Sequence, residues 1–450
     1  MSAKQHPVKV LIMGAAGRDF HNFNTVYRED PGARVVAFTA AQIPDIAGRR
    51  YPAELAGAYY PDGIPIVDEE DLDALCRRER VEQVVFAYSD VDYVNVMRKS
   101  AVVLAAGADF LLLGPEHTQL KAKVPVIAVS AVRTGCGKSQ TTRWLCRLLS
   151  RHGIRVAVIR HPMPYGDLAR QAVQRFATVE DLDAAECTVE EREEYEPHLA
   201  LGNLVYAGVD YPVIVTLAEA EVDLILWEGG NNDFPFIRPD LHLVLVDPLR
   251  PGDESRYHPG EAVLRMADIV VVAKSDVASP MNVETVKESI LPINREARVV
   301  LGASPLEMDD SAAVSGKRVL VVEDGPTITH GGMAYGAGYV AANKHGAAKI
   351  VDPRPSASAG ILEVYMAYPH IGRVLPAVGY HPEQLKDLQD TINASDADIV
   401  VCATPCDLAS LIHIEKPVVR VRYEFDEVGE PKLSELIEDF LKKRDLARSG

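Results

Sequence analysis

The strongest constraint on this chain is a rhythm: short apolar runs rich in valine, isoleucine and leucine recur along it, separated by amphipathic stretches. Val8–Met13, Val35–Thr39, Gln83–Ala87, Val126–Val129, Arg155–Ile159, Leu224–Trp227, Leu241–Val246, Ile269–Ala273, Val319–Val322 and Ile399–Cys402 are such runs. A strand that is apolar throughout has both faces covered, as in parallel sheets flanked by helices and not in half-solvated antiparallel ones. An α/β fold follows. At 450 residues the chain is longer than one hydrophobic core serves, and about 150 residues per domain gives roughly three. A polar break at Lys121–Val124 and a weaker one over Leu301–Gly316 divide it into residues 1–122, 123–300 and 301–450; alternatively, the last part completes the sheets of the first two.

Lysine and arginine together number 47 against 65 aspartates and glutamates, a formal charge of −18. Nucleic acid and anionic membrane surfaces need a positive field, so neither is an expected partner. A small anion is still compatible, because helix N-termini and a few converging cations make a locally positive pocket on an acidic protein. Six cysteines without a CxxC spacing (Cys76, Cys136, Cys146, Cys187, Cys402 and Cys406) suggest neither a disulfide scaffold nor a zinc site and fit a reducing cytoplasm. The start, MSAKQHPVKVLIMGAAG, runs into a strand without a cleavage site, and no apolar stretch reaches the ~20 residues of a membrane span; a cytoplasmic protein is expected. One segment breaks the rhythm. Val179–Pro197 (VEDLDAAECTVEEREEYEP) is dense in carboxylates and reads as a solvated helical insertion, with a cover over an active site as the alternative.

The chemistry lies at strand ends. The run from Val126 leads into Val132-Arg-Thr-Gly-Cys-Gly-Lys138-Ser139 and then into an amphipathic stretch, the strand–loop–helix context of a P-loop. Thr134, Gly135, Cys136, Gly137, Lys138, Ser139 and Gln140 are the expected nucleotide-binding residues: backbone N–H groups wrap a phosphate, Lys138 reaches the β/γ-oxygens and the Ser139 hydroxyl ligates Mg²⁺. Val132 replaces the first glycine of the motif, so this Walker A is deviant. Arg133 stands where deviant P-loop proteins of the signal-recognition and nitrogenase-iron-protein class often carry a second lysine. It is expected to supply charge to a transferring phosphoryl group, the alternative being an exposed loop arginine.

Glu228 ends the strand Leu224–Trp227, where ligands of open α/β sheets collect. Its Glu-Gly-Gly sequence resembles the Glu-Gly-Ala-Gly-Gly loop of dethiobiotin-synthetase-like ligases, which makes Glu228 a candidate metal ligand. In Arg160-His-Pro-Met-Pro-Tyr-Gly-Asp167 two prolines stiffen the loop. Arg160 and His161 are expected in catalysis and substrate binding, Tyr165 in substrate binding and Asp167 at the metal. Lys274-Ser-Asp276 after Ile269–Ala273 resembles the Lys-x-Asp base reader of GTPases, with Ala273 at the motif's first position, and places the nucleobase near Lys274 and Asp276 without choosing adenine or guanine. A glycine-rich loop, Glu323–Gly338, offers Thr329, His330, Gly331 and Gly332 for an anionic substrate, and Arg250, Arg256 and His258 add cations. Gly14-Ala-Ala-Gly17 is not G-x-G-x-x-G, so a first domain that binds no dinucleotide is expected, with Arg18, Asp19 and His21 as its nearest candidate contacts.

Taken in order, SAVRTGCGKSQTTRW, RHPMPYGDL, LWEGGNNDFPF and EDGPTITHGGMAYGAGY resemble the cyclic 2,3-diphosphoglycerate synthetase family over essentially the full chain. The resemblance implies an N-terminal Rossmann-like domain (1–122), a P-loop NTPase domain of the dethiobiotin-synthetase-like class (123–300) and a C-terminal α/β region carrying the glycine-rich loop (301–450). It implies ATP-dependent closure of an intramolecular phosphoanhydride in 2,3-diphosphoglycerate, with release of ADP and phosphate. Mg²⁺ and ATP are the implied cofactors, GTP is not excluded, and a homodimer is compatible. Lys138, Ser139 and Glu228 would serve nucleotide and metal; Arg160, His161 and the His330 loop would hold the diphosphoglycerate. Two dianionic phosphates must then be neutralised by Arg133, Lys138, Arg160, His161 and glycine-loop amides, with the acidity of Val179–Pro197 left on the surface. Two alternatives are a GTP-dependent switch or metallochaperone, suggested by Lys274-x-Asp276, and a related kinase or ligase acting on another anionic small molecule.

Overall fold

Three sheets take up all ten apolar runs in a computed structural model. It describes residues 6–446 except 42–45, 70–71, 162, 164–165, 330, 379–381 and 406, and leaves out the side chains of 189 and 382. The first sheet runs Arg50–Tyr51, Ile64–Asp68, Ala33–Ala40, Val8–Met13, Gln83–Phe86, Asp109–Leu111 and is parallel except at the Arg50–Tyr51 edge.

The second sheet has nine strands: Gln174–Phe176, Leu204–Ala207, Val156–Arg160, Leu224–Glu228, Val126–Ala131, Leu241–Val246, Ile269–Val272, Arg298–Ala303 and Asp426–Val428. Its seven inner strands are parallel and both edge strands antiparallel. Every residue of Val126–Ala131 is buried, which explains its lack of alternation. The helix Lys138–Arg151 follows and buries Leu145, Cys146, Leu148 and Leu149 on the sheet. Val126–Ala131 lies directly beside Leu224–Glu228, with Val129 opposite Glu228, so the P-loop and the Glu228 loop emerge side by side.

The third sheet, Leu306–Met308, Val418–Tyr423, Ile399–Ala403, Arg318–Glu323 and Lys349–Ile350, also takes Leu375–Pro376 against Arg318–Glu323. The chain then returns. Asp426–Val428 closes the edge of the second sheet on Arg298–Ala303, and the helix Leu433–Lys443 buries Leu433, Ile437, Phe440 and Leu441 in that sheet's core.

The acidic segment departs from its expected solvated character. It forms two helices, Val179–Ala184 and Val189–Leu199, each begun by a capping box: Thr178 with Asp181, and Thr188 with Glu191. Glu190, Glu191 and Glu193 are buried. The cause is spacing, since positions 190, 193 and 194 share one face of the second helix, and that face points inward.

Candidate active site

The carboxyl ends of the second sheet's strands open on a cavity of 740 Å³, closed by loops of the first and third sheets. Thr134, Gly135, Gly137, Lys138, Ser139 and Gln140 form part of its wall. Gly135 and Gly137 have φ of +79° and +107°, left-handed values that explain glycine at both positions. Val132 is not in that region; it continues the sheet by donating its N–H to Leu245 (3.0 Å), which is why the motif's first glycine is dispensable here. Thr134 Oγ1 donates to Asn231 Oδ1 (3.0 Å), the Thr134 N–H donates to Asp90 Oδ2 (3.2 Å), and Lys138 Nζ donates to the Asn231 carbonyl. Burial lowers the Lys138 pKa, while Cys136 and Glu228 oppose the shift. Cys136 is buried behind the loop and does not reach the wall.

The expected cations are largely spoken for. Arg160 lies on the wall but pairs with both Glu194 and Glu228. Glu228, fully buried, also meets His198 Nε2 at 3.1 Å. Burial alone would raise the Glu228 pKa, but Arg160 and His198 prevail and hold its carboxyl well below the usual carboxylate range. His161 lines the cavity, yet burial, with Arg160 and Lys138 nearby, pushes its pKa down to about 3, so at neutral pH it is uncharged. Arg133 does not reach the wall: it is pinned between Asp90 (2.6 Å) and Asp253 (2.7 Å) and stacked 3.5 Å over Tyr257. A guanidinium held by two carboxylates is a structural tie, which replaces the expected role of Arg133 in phosphoryl transfer.

Both other glycine loops turn out to be filled by the protein itself. Asp19 Oδ1 accepts the N–H groups of Ala16 (2.8 Å), Gly17 (3.1 Å) and Phe20 (2.7 Å). Glu323 accepts those of Gly336 (3.0 Å), Gly338 (3.1 Å) and Tyr339 (2.7 Å). The backbone donors of the Glu323–Gly338 loop, expected for a ligand anion, therefore serve an internal carboxyl, and those of the Gly14–Gly17 loop do the same. Burial raises both carboxyls to a pKa of about 7 against the pull of these donors. Thr329 turns its hydroxyl back to the Gly325 carbonyl (2.8 Å), and neither it nor Gly331 nor Gly332 lines the cavity. Pro326, Thr327 and Ile328 of the same loop do. Tyr165 and His330 lie outside the described residues. Lys274 is on the wall but donates to the Gly135 carbonyl (2.7 Å) and to Asp247 (2.8 Å), while Asp276 accepts the Ser304 N–H (2.9 Å) off the wall. Both are engaged within the protein itself, Lys274 by the Gly135 carbonyl and the Asp247 carboxylate and Asp276 by the Ser304 N–H.

Magnesium, which a P-loop implies, draws most of its ligands from phosphates and water. Ser139, at the start of the helix on the cavity wall, fits as its protein ligand. Glu228 in its present pairing does not, because Arg160 and His198 engage its oxygens. Asp167 is exposed, caps the Ala169 N–H (2.9 Å) and stands off the wall. Among the described residues no three His, Cys, Asp or Glu side chains are grouped to hold a metal.

Apart from Asp19, and from the alternative of the acidic segment as a cover over an active site, the carboxylates on the wall lie outside the residues expected from sequence. Asp19, Asp90, Glu190, Glu193, Glu194, Asp233, Glu323 and Asp324 line the cavity against Arg18, Lys138, Arg143, Arg160 and Lys274. Four of those five cations are ion-paired: Arg18 with Asp233 (3.0 Å), Arg143 with Glu424 (3.5 Å), Arg160 as above and Lys274 with Asp247. The i, i+3, i+4 spacing of Glu190, Glu193 and Glu194 and the two capping boxes were visible signals of this helix face.

No protein-family model matches the chain. The arginine synthetase ArcE of Thermococcus kodakarensis is 57% identical over 440 residues, 98% of each chain. Cyclic 2,3-diphosphoglycerate synthetases of Thermococcus sibiricus and Rubrobacter xylanophilus are 25% and 39% identical over 114 residues, about a quarter of each chain. Similarity to that enzyme is thus local here, and it is the arginine synthetase that matches end to end. Among solved structures, LpxK of Aquifex aeolicus in complex with ATP has a TM-score of 0.41 at 14% identity, covering 82% of this chain and 99% of its own. The hydrogenase maturation factor HypB of Archaeoglobus fulgidus has 0.23 at 16%, covering 40% and 79%. Likenesses this loose bear on neither fold nor function. No described helix is long and apolar enough to cross a membrane.

Proposed function

The chain belongs to the family of the arginine synthetase ArcE, and from that membership we propose that it is an ATP-dependent ligase that builds the guanidinium group of arginine. One structural observation carries the reading beyond the family name: the P-loop faces a cavity in which carboxylates outnumber cations and all but one of the cations are already paired. Such a wall suits a substrate or product bearing a guanidinium or ammonium group, because charge-assisted bonds to carboxylates are the strong ones. It suits a second polyanion beside ATP poorly, since the added phosphates would find all but one of the wall's cations already engaged.

The chemistry that ATP allows is substitution of a ureido oxygen. That oxygen attacks the γ-phosphorus and forms a P–O bond as the bond to ADP breaks. The lone pair of ammonia then forms the new C–N bond while the C–O bond breaks and phosphate leaves. Lys138 and the backbone donors of residues 135–139 would bind the phosphates and stabilise charge on the transferring group. Ser139 would hold magnesium, which neutralises phosphate charge when bound. Neutral His161 would neither repel an incoming cation nor donate positive charge to phosphate. Glu190, Glu193 and Glu194 would face the guanidinium as it forms.

A second reading, closure of the phosphoanhydride of 2,3-diphosphoglycerate, is favoured by the local 39% similarity. One assay separates the two. Purified protein with Mg²⁺ and ATP is given either citrulline plus ammonium or 2,3-diphosphoglycerate. Arginine is followed by amino-acid analysis and cyclic anhydride by ³¹P NMR. Arginine formed in step with ADP, and reduced about 10²–10³-fold by Lys138→Ala, is the expected result. Cyclic product without arginine would overturn the proposal.

A further inference from the structure

Asp247 belongs to none of the motifs above and Arg250 entered only as an added cation, yet together they tie the P-loop to the third sheet behind the cavity wall. Asp247 follows the strand Leu241–Val246 and is buried. Burial would raise its pKa, but Lys274 and Arg250 hold it below the usual carboxylate value. Arg250 Nη2 donates to Asp247 (3.0 Å) and to the Thr134 carbonyl (2.8 Å), while Lys274 donates to the next carbonyl, that of Gly135. In a trans peptide the N–H points opposite the C=O. Fixing these two carbonyls therefore turns the N–H groups of Gly135 and Cys136 the other way, which is the orientation a phosphate cradle requires. The second arm of the guanidinium reaches across to the third sheet, where Arg250 Nη1 donates to the Gly331 carbonyl (2.9 Å). In the same loop Thr327 packs over the P-loop, its methyl 3.5 Å from where a Cβ on Gly135 would stand.

We propose that Arg250 is a positioning residue that couples nucleotide binding at the P-loop to the seating of Asp324–Thr329 and Gly331–Met333, so that the two walls close on the acceptor together. The planar fork of arginine, with donors on separate nitrogens, suits this bridge, and a single ammonium does not. The coupling is independent of which acceptor the enzyme uses.

The probe is ADP with Mg²⁺ and no acceptor, read by calorimetry and hydrogen exchange. In the wild-type protein ADP should slow exchange in both 134–140 and 325–333. Arg250→Met should bind ADP about tenfold more weakly, the worth of one charge-assisted hydrogen bond, and should protect 134–140 without protecting 325–333. If the methionine variant does not fold, Arg250→Lys decides: it keeps the charge beside Asp247 but spans only one of the two carbonyls, so the protection at 325–333 should be lost. Undiminished ADP-dependent protection at 325–333 in a folded variant, or unchanged ADP affinity in Arg250→Met, overturns the proposal.

Discussion

Asp19 and Glu323 each close a glycine-containing loop by accepting three backbone N–H groups, and each is almost wholly buried. Burial outweighs the donors, so both carboxyls keep their proton up to about pH 7, while in the unfolded chain they release it near pH 4. Between those values the folded state binds more protons than the unfolded one. Stability is therefore greatest at the acid end of the interval and falls as pH rises to about 7, with no further loss from these groups above it. For Glu323 the shift from 4.5 to about 7 is worth about 3 kcal/mol at ~1.36 kcal/mol per unit. Glu323→Gln has no proton to lose, so the fall in stability between pH 5 and pH 8 should shrink by about 2–3 kcal/mol in urea titrations of both proteins. An identical pH dependence would mean that the N–H donors already keep Glu323 ionised. At this scale the P-loop was legible because its signal is contiguous. The fates of Arg133 and Arg160 were not, because their partners Asp90, Asp253, Glu194 and Glu228 come from distant parts of the chain.

Among the elements, the helix Val189–Leu199 departs furthest from its composition. Its acidic residues resemble a solvated surface in sequence, yet Glu190 and Glu193 are buried, and both line the cavity with Glu194. His198, one turn on from Glu194, meets Glu228, so the helix is fastened to the sheet by polar contacts as well as packing. A test of its role in recognition is Glu190→Gln, which keeps the shape and removes the charge. Losing one charged hydrogen bond is worth ~1.5–3 kcal/mol. The KM for the amino-acid substrate should therefore rise at least about tenfold with the KM for ATP within about twofold, measured by varying each at saturation of the other. A rise in both by the same factor would assign the helix to folding alone. The long central strands were readable because burial on both faces leaves a continuous apolar signature. The short edge strands Gln174–Phe176, Leu306–Met308 and Asp426–Val428 carry one to three exposed or polar positions each and are set by their neighbours, not by local propensity.

Across the whole molecule, the chain does not fold as three beads in series. After the third sheet it returns to the second: Phe425 packs edge-on against Trp144 of the P-loop helix, with ring centroids 5.2 Å apart, Asp426–Val428 closes the sheet edge, and Ile437 is fully buried in the P-loop core. Sequence order hides this, because a crossing back over more than a hundred residues leaves no periodic trace. The P-loop core therefore depends on residues 425–446, although none of them lines the cavity. Ile437→Ala removes buried methyl and methylene groups from a filled core and should destabilise the protein by about 2–5 kcal/mol. Hydrogen exchange locates the loss: it should quicken in the Lys138–Arg151 helix and the Arg298–Ala303 strand and remain unchanged in Val8–Met13 of the first sheet, whose core is a separate cluster. Equal acceleration in all three sheets would show instead that they unfold as one cooperative unit, and that the joined walls of the cavity bind them more tightly than the returning helix does.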